Sequence, residues 1–248
     1  TVIGTTDLDH RQDADAEATI SGDELDYLLE AVNDQFPGHA IGRDDIISTW
    51  SGVRPVIGSD KSKDPSKERR NHAVWVDEGL VTVTGGKLTT FRKIALDAMA
   101  AATATLGEMR ITEPDQAVFS STSISASDIG LADESRARRL AGRYGAAVMR
   151  LFEGVAATER ANIGGTGFCL AECRWAARNE SVLHLDDLLL RRTRLGSLLP
   201  RGGEEIFGAL EAICAEELQW DRARWDAELA RYREIWERHY YLPAPAAG

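Results

Sequence analysis

The stretch from Leu80 to Leu106 constrains the fold more than any other. Leu80-Val81-Thr82-Val83-Thr84 alternates apolar and polar side chains, the pattern of a half-buried strand. Gly85-Gly86-Lys87-Leu88-Thr89-Thr90-Phe91-Arg92-Lys93 follows, and a helical run extends from Ile94 to Leu106. Two glycines between a strand and a helix let a ligand come close to bare backbone. The first free N–H groups of the helix would face that ligand, with the positive end of the helix dipole behind them. Lys87 adds a full positive charge. This arrangement suits an anionic or electron-rich group, such as a phosphate or a flavin ring edge. A lysine at a helix start opposes the dipole, so a purely structural role is mildly unfavourable.

Around this turn the first part of the chain reads as α+β. Thr1 to Thr6 and Ile46 to Val53 have strand composition. Ser21 is expected to cap a helix with Glu24 as its capping-box partner, and Pro37-Gly38 to stop it. Asp60 to Arg70 reads as a charged surface loop. His72–Val76 and Leu80–Thr84 are expected to pair as a hairpin around Asp77-Glu78-Gly79. Residues 107–127 are rich in Thr and Ser and read as a linker. Beyond it every periodic segment is helical: 133–143, 146–153, 169–179, 186–195, 204–218 and 221–240. The expected division is a partial α/β domain over 1–110, a linker over 111–127 and an all-α domain over 128–248.

With 29 Lys and Arg against 40 Asp and Glu, the net charge is −11, which argues against a nucleic-acid partner. No apolar run reaches the length of a membrane span, and no leader resembling a signal peptide opens the chain. The three cysteines lack CxxC spacing, so a reducing cytoplasm is expected and a metal site is not. Cys169 and Cys173 read as small buried apolar residues. The chain begins in what looks like the middle of a strand, without Met, so an N-terminal part is expected to be missing.

Arg54 ends a strand-like segment just before Pro55. Its guanidinium suits either two-pronged binding of a phosphate or carboxylate, or pairing with an acidic neighbour. Arg69-Arg70-Asn71-His72 closes the charged loop and reads as either a basic turn or an anion site. Thr89 and Thr90 suit first-turn hydroxyls or donors to a cofactor carbonyl. In the helical half, Glu172, Arg174, Asp186, Asp187, Arg191 and Arg192 read as a solvated or salt-bridged surface rather than a catalytic cluster. Trp and Tyr at 220, 225, 232, 236, 240 and 241 recur at helical spacing and read as packing residues.

Gly4-Thr5-Thr6-Asp7, Ser51-Gly52-Val53-Arg54-Pro55, Arg70-Asn71-His72 and Gly85 through Arg92 together resemble FAD-dependent glycerol-3-phosphate dehydrogenase in order and spacing. The helical half resembles that family's C-terminal domain through Ala171-Glu172-Cys173-Arg174-Trp175-Ala176, Asp186-Asp187 and Leu190 to Arg194. The resemblance implies oxidation of sn-glycerol 3-phosphate to dihydroxyacetone phosphate, with electrons passing through FAD to a quinone. It also implies a cytoplasmic enzyme with peripheral contact at the inner face of the cell membrane. Carried over, Arg54 and Arg70 bind the substrate phosphate. Lys87 lies beside substrate and flavin, and Gly85, Gly86, Leu88, Thr89 and Thr90 line the cofactor. Asn71 departs from the acidic residue usual there, and Arg69 competes with Arg70 for the phosphate. The family's N-terminal FAD-binding fold is absent, so 1–110 reads as the remnant of a mixed-sheet domain, inactive alone. Two alternatives are a non-catalytic helical assembly module and a related FAD-dependent amine or amino-acid oxidase.

Overall fold

A computed structural model describes residues 1–11, 13, 15–54, 71–108, 113, 115–119 and 123–243. The chain divides into two compact units. A helical unit comprises Thr1–Thr6, Asp15–Gly52 and Ser121–Gly248, and a hairpin unit comprises Asp7–Ala14 and Val53–Ser120.

The hairpin unit is built on two antiparallel strands, β1 (His72–Asp77) and β2 (Leu80–Gly85), with His72 opposite Gly85 and Asp77 opposite Leu80. Glu78 and Gly79 connect them with φ of 47° and 85°. Positive φ at both central residues marks the turn whose twist matches that of paired strands. This is the hairpin expected from the alternation. After Gly85 and Gly86 a single 3-10 turn, Leu88–Thr90, runs into helix α2 (Phe91–Leu106), which Gly107 ends at a φ of 81°. No described residue of this unit is buried.

In the helical unit, α1 (Gly22–Gln35) begins with the expected capping box. Ser21 Oγ accepts from Glu24 N at 3.2 Å, and Glu24 Oε2 accepts from Ser21 N at 3.0 Å. The later helices are α3 (Glu134–Tyr144), α4 (Val148–Leu151), α5 (Leu170–Asn179), α6 (Leu195–Leu198), α7 (Phe207–Leu218) and α8 (Arg222–His239). Asp133 and Asp221 cap α3 and α8 through their carboxylates. One core forms around Leu188, Leu189, Leu195, Leu210, Ile213 and Tyr232. A second gathers Ala126, Ile129, Leu140, Val148 and Leu151. None of the helices described is long and apolar enough to cross a membrane.

Several expectations need correcting. Thr1–Thr6 and 46–53 contain no strand. Extended composition makes a strand only where a partner ladder exists, and here the second segment bonds elsewhere. Thr49 donates from N to Tyr240 O at 2.8 Å and from Oγ1 to Tyr241 O at 3.1 Å, and Ser48 Oγ donates to Ser197 O at 2.7 Å. Residues 15–52 therefore belong with the helical unit, not with the hairpin. The linker expected over 111–127 also ends early, because Ala126 is already core. The helix expected at 186–195 is a π-helical turn, Asp187–Arg192. The one expected from 204 is delayed to Phe207 by Arg201, Gly202 and Gly203, all at positive φ.

Candidate functional site

The hairpin end and the helix start bring Gly85 to Thr90 into one continuous turn. Gly85 and Gly86 have φ of 73° and 87°, a region that favours glycine. Gly86 is required for space as well. A Cβ there would lie 2.5 Å from Ile94 Cδ1 and 3.2 Å from His72 Cβ. Local packing thus accounts for Gly86 without any ligand.

Lys87 is exposed, and its ammonium has no hydrogen-bond or ion-pair partner among the described residues. Its backbone N donates to Thr90 Oγ1 at 3.3 Å, and Thr90 Oγ1 donates back to Lys87 O at 2.9 Å. The Thr90 hydroxyl therefore closes the turn on itself. Leu88 is 89% exposed. The N–H groups of Leu88 and Thr89 have no internal acceptor among the described residues. Two free donors and a free ammonium on one exposed turn are complementary to an electronegative group.

Arg54 Nη2 lies 2.5 Å from Asp7 Oδ2, both half-exposed. No contact among the described residues joins Arg54 to the turn. Arg69 and Arg70 lie outside the described residues, so the anion site expected there does too; Asn71, just after them, is exposed.

Two features of this unit went unforeseen in the sequence. His72 Nε2 and Asp97 Oδ2 are 2.7 Å apart, linking the first residue of β1 to the second turn of α2. Lys93 Nζ donates to both Asp97 oxygens at 3.1 Å. The Lys93 bond, then the His72 bond, hold the Asp97 carboxyl below its usual value. The i, i+4 spacing of Lys93 and Asp97 was a legible signal. The pairing of His72, 25 residues from its partner, had none; for Arg54 an acidic partner was one of the two readings, though nothing pointed to Asp7, 47 residues away.

The charged cluster of the helical half is structural and largely sequestered. Glu172 is fully buried, caps α5 through Cys169 N at 3.1 Å, and accepts from Arg139 at 2.6 and 3.1 Å and from Tyr144 Oη at 3.0 Å. Arg174 is ringed by Glu159, Glu216 and Glu217 at 2.5–2.7 Å, which keeps it protonated. Asp186 is buried between Arg191 and Arg231. Burial pushes its carboxyl up, but the two arginines outweigh this and hold it below the usual range. Trp225, Tyr232 and Trp236 are core, as expected of the aromatic series, while Tyr241 is half-exposed. All three cysteines are buried free thiols, and burial pushes Cys214 up to about 12. These are inert positions.

Comparison with known proteins gives this architecture its family. The family model for the C-terminal domain of alpha-glycerophosphate oxidase matches residues 97–225, more than half of the chain. The chain belongs to that family. Residues 1–92 match a second model, FAD dependent oxidoreductase. A glycerol-3-phosphate dehydrogenase of Pseudomonas tolaasii is 36% identical over 219 residues, covering 79% of this chain and 41% of the relative. Glycerol-3-phosphate dehydrogenase 2 of Mycobacterium bovis is 32% identical over 246 residues, covering 93% and 41%. An aerobic glycerol-3-phosphate dehydrogenase of Staphylococcus saprophyticus is 31% identical over 214 residues, covering 77% and 38%. The chain spans about two fifths of the length of these curated relatives.

Proposed function

We propose that this chain forms part of a flavoenzyme that oxidises sn-glycerol 3-phosphate to dihydroxyacetone phosphate and passes the electrons through FAD to a quinone. The observation that carries the reading is the Gly86-Lys87-Leu88 turn, whose ammonium and two N–H groups have no partner among the described residues, inside a segment that matches FAD dependent oxidoreductases. The hairpin unit is read as part of a mixed-sheet FAD and substrate domain. The rest of that domain would lie outside these 248 residues, in keeping with relatives more than twice as long. The enzyme is read as cytoplasmic, with peripheral contact at the membrane that holds the quinone.

The fit to FAD rests on the turn. FAD, when bound, supplies the hydride acceptor, and reduction leaves negative charge on its pyrimidine edge. The N–H groups of Leu88 and Thr89 would hold that edge, and Gly85 and Gly86 present no side chain to obstruct it. Thr90 contributes by keeping the turn closed. Lys87 would lie between this edge and the substrate, its ammonium stabilising the negative charge that hydride transfer would leave on the flavin edge. Arg54 and Arg70 would grip the dianionic phosphate. Arg54 would exchange Asp7 for the phosphate or share it between the two.

The test is the whole protein containing residues 1–248, purified and assayed for bound flavin and for glycerol-3-phosphate-dependent dye reduction. A yellow protein active on glycerol 3-phosphate is expected. A protein without flavin overturns the reading. Lys87→Ala and Arg54→Ala are each expected to lower kcat/KM by about 100-fold or more, the scale of losing one preorganised charge contact. Wild-type rates in both would overturn the site.

A further inference from the structure

We propose that Asp7 is an affinity-setting residue, one that keeps phosphate binding at Arg54 weaker than the arginine alone would make it. The inference rests on the reading of Arg54 as a phosphate ligand and adds to it a residue of opposite sign.

Asp7 and Arg54 belong to the same compact unit although 47 residues separate them. Arg54 Nη2 donates to Asp7 Oδ2 at 2.5 Å. Asp7 is the one side-chain partner of Arg54 among the described residues, and the contact uses a single N–H of the guanidinium fork. The Arg54 side chain is 47% exposed and that of Asp7 40%. Two things follow. The remaining donors of Arg54 are open to a second acceptor, so an anion can bind without expelling Asp7. An ion pair this exposed holds its partner only loosely, so Asp7 adds little by fixing the arginine in place.

Its charge matters more. An anion that accepts from the free edge of Arg54 shares one guanidinium with Asp7, which puts the two acceptors within about 7 Å of each other. At that separation, even with the dielectric of water, a carboxylate repels a dianion enough to lower its affinity about sevenfold. Screening at about 0.1 M salt reduces the factor to about threefold. The sign is therefore set by repulsion and not by positioning: Asp7 opposes the phosphate. In the reaction proposed above, substrate and product both carry that phosphate. A looser hold raises KM and lets the product leave sooner, while the chemical step is left alone, as expected of binding that is equal in ground and transition states.

The test uses the whole protein with Asp7→Asn, Asp7→Ala, Arg54→Ala and the double variant Asp7→Asn with Arg54→Ala. The Kd for inorganic phosphate is measured by titration calorimetry, at about 0.1 M and about 1 M salt, beside kcat and KM for glycerol 3-phosphate. Asp7→Asn and Asp7→Ala are each expected to tighten phosphate binding about 3- to 10-fold at the lower salt and to lower KM by a similar factor. The gain should shrink to less than about twofold at the higher salt, where the screening length falls to about 3 Å. It should also vanish when Arg54 is alanine, because the two residues act through one contact. Weaker phosphate binding in both Asp7 variants would make Asp7 a positioning residue and overturn the inference. Unchanged binding would reduce the pair to a surface contact and overturn it equally. In both cases a loss of phosphate affinity in Arg54→Ala keeps the reading of Arg54 intact. Wild-type phosphate affinity in Arg54→Ala overturns that reading, and this inference with it.

Discussion

The helical unit and the hairpin unit differ in what they bury. The first encloses two cores and locks its charges in place, with Glu172 and Asp186 buried among arginines. The second buries no described residue and leaves Trp75, Leu80, Leu88 and Phe119 largely exposed. Yet the Lys87 ammonium and the Leu88 and Thr89 N–H groups, which have no partner among the described residues, lie on the second. The polar groups of the turn point to solvent, whereas the buried carboxylates that hold the helices together are each met by several donors. The same types of residue accordingly have opposite energetic weights in the two places.

The sharpest way to break this comparison is with one residue type. Leu188 is fully buried and Leu88 is 89% exposed. Leu188→Ala should cost about 2–5 kcal/mol in chemical denaturation, and Leu88→Ala less than about 0.5 kcal/mol. Equal losses would refute the division. Charges offer the next contrast. Glu172→Ala strands Arg139 and Tyr144 and should cost about 3 kcal/mol. Asp7→Ala removes an exposed pair with Arg54 and should cost at most about 1 kcal/mol.

Glycines sharpen it further. Gly196→Ala would set a Cβ 2.3 Å from Tyr232 Oη, a group held by its bond to Gly202 O at 2.7 Å, and should cost about 1–3 kcal/mol. Gly86→Ala would meet Ile94 Cδ1, the end of a flexible side chain, at 2.5 Å and His72 Cβ at 3.2 Å, and its positive φ adds strain, for a cost of about 1–2 kcal/mol. The smallest effect is on pH dependence. The carboxyls of Asp186 and Glu217 are held below their ordinary values of 3.8 and 4.5. A depressed folded-state value adds stability above the unfolded value, and that stability is lost as pH falls through the folded one. Melting followed by helical circular dichroism should therefore be flat from neutral pH to about 5, then drop below about 4. A drop beginning near pH 6 would point to other groups.

Much of the local structure was legible because its signals act within about four residues. Ser21 with Glu24 marked α1, the alternation at 72–84 marked the hairpin, and Gly85-Gly86-Lys87 marked the turn. Other signals misled where tertiary partners decide. The segment 46–53 has strand composition, but Ser48 and Thr49 found acceptors at Ser197, Tyr240 and Tyr241 instead of a neighbouring strand. Arg174 and Asp186 read equally well as solvated or paired charges, since burial depends on helices distant in sequence.

By itself, then, the sequence determined the capping box of α1, the hairpin, the glycine-lysine turn and the family to which the chain belongs. Each of these depends on neighbouring residues or on ordered motifs. Tertiary structure alone decided that residues 15–52 join the helical unit, that Glu172 and Asp186 are sealed among arginines, and that His72 is bonded to Asp97. The reason is range: hydrogen-bond partners and burial are settled by contacts across tens of residues, and no local pattern encodes which distant group will arrive.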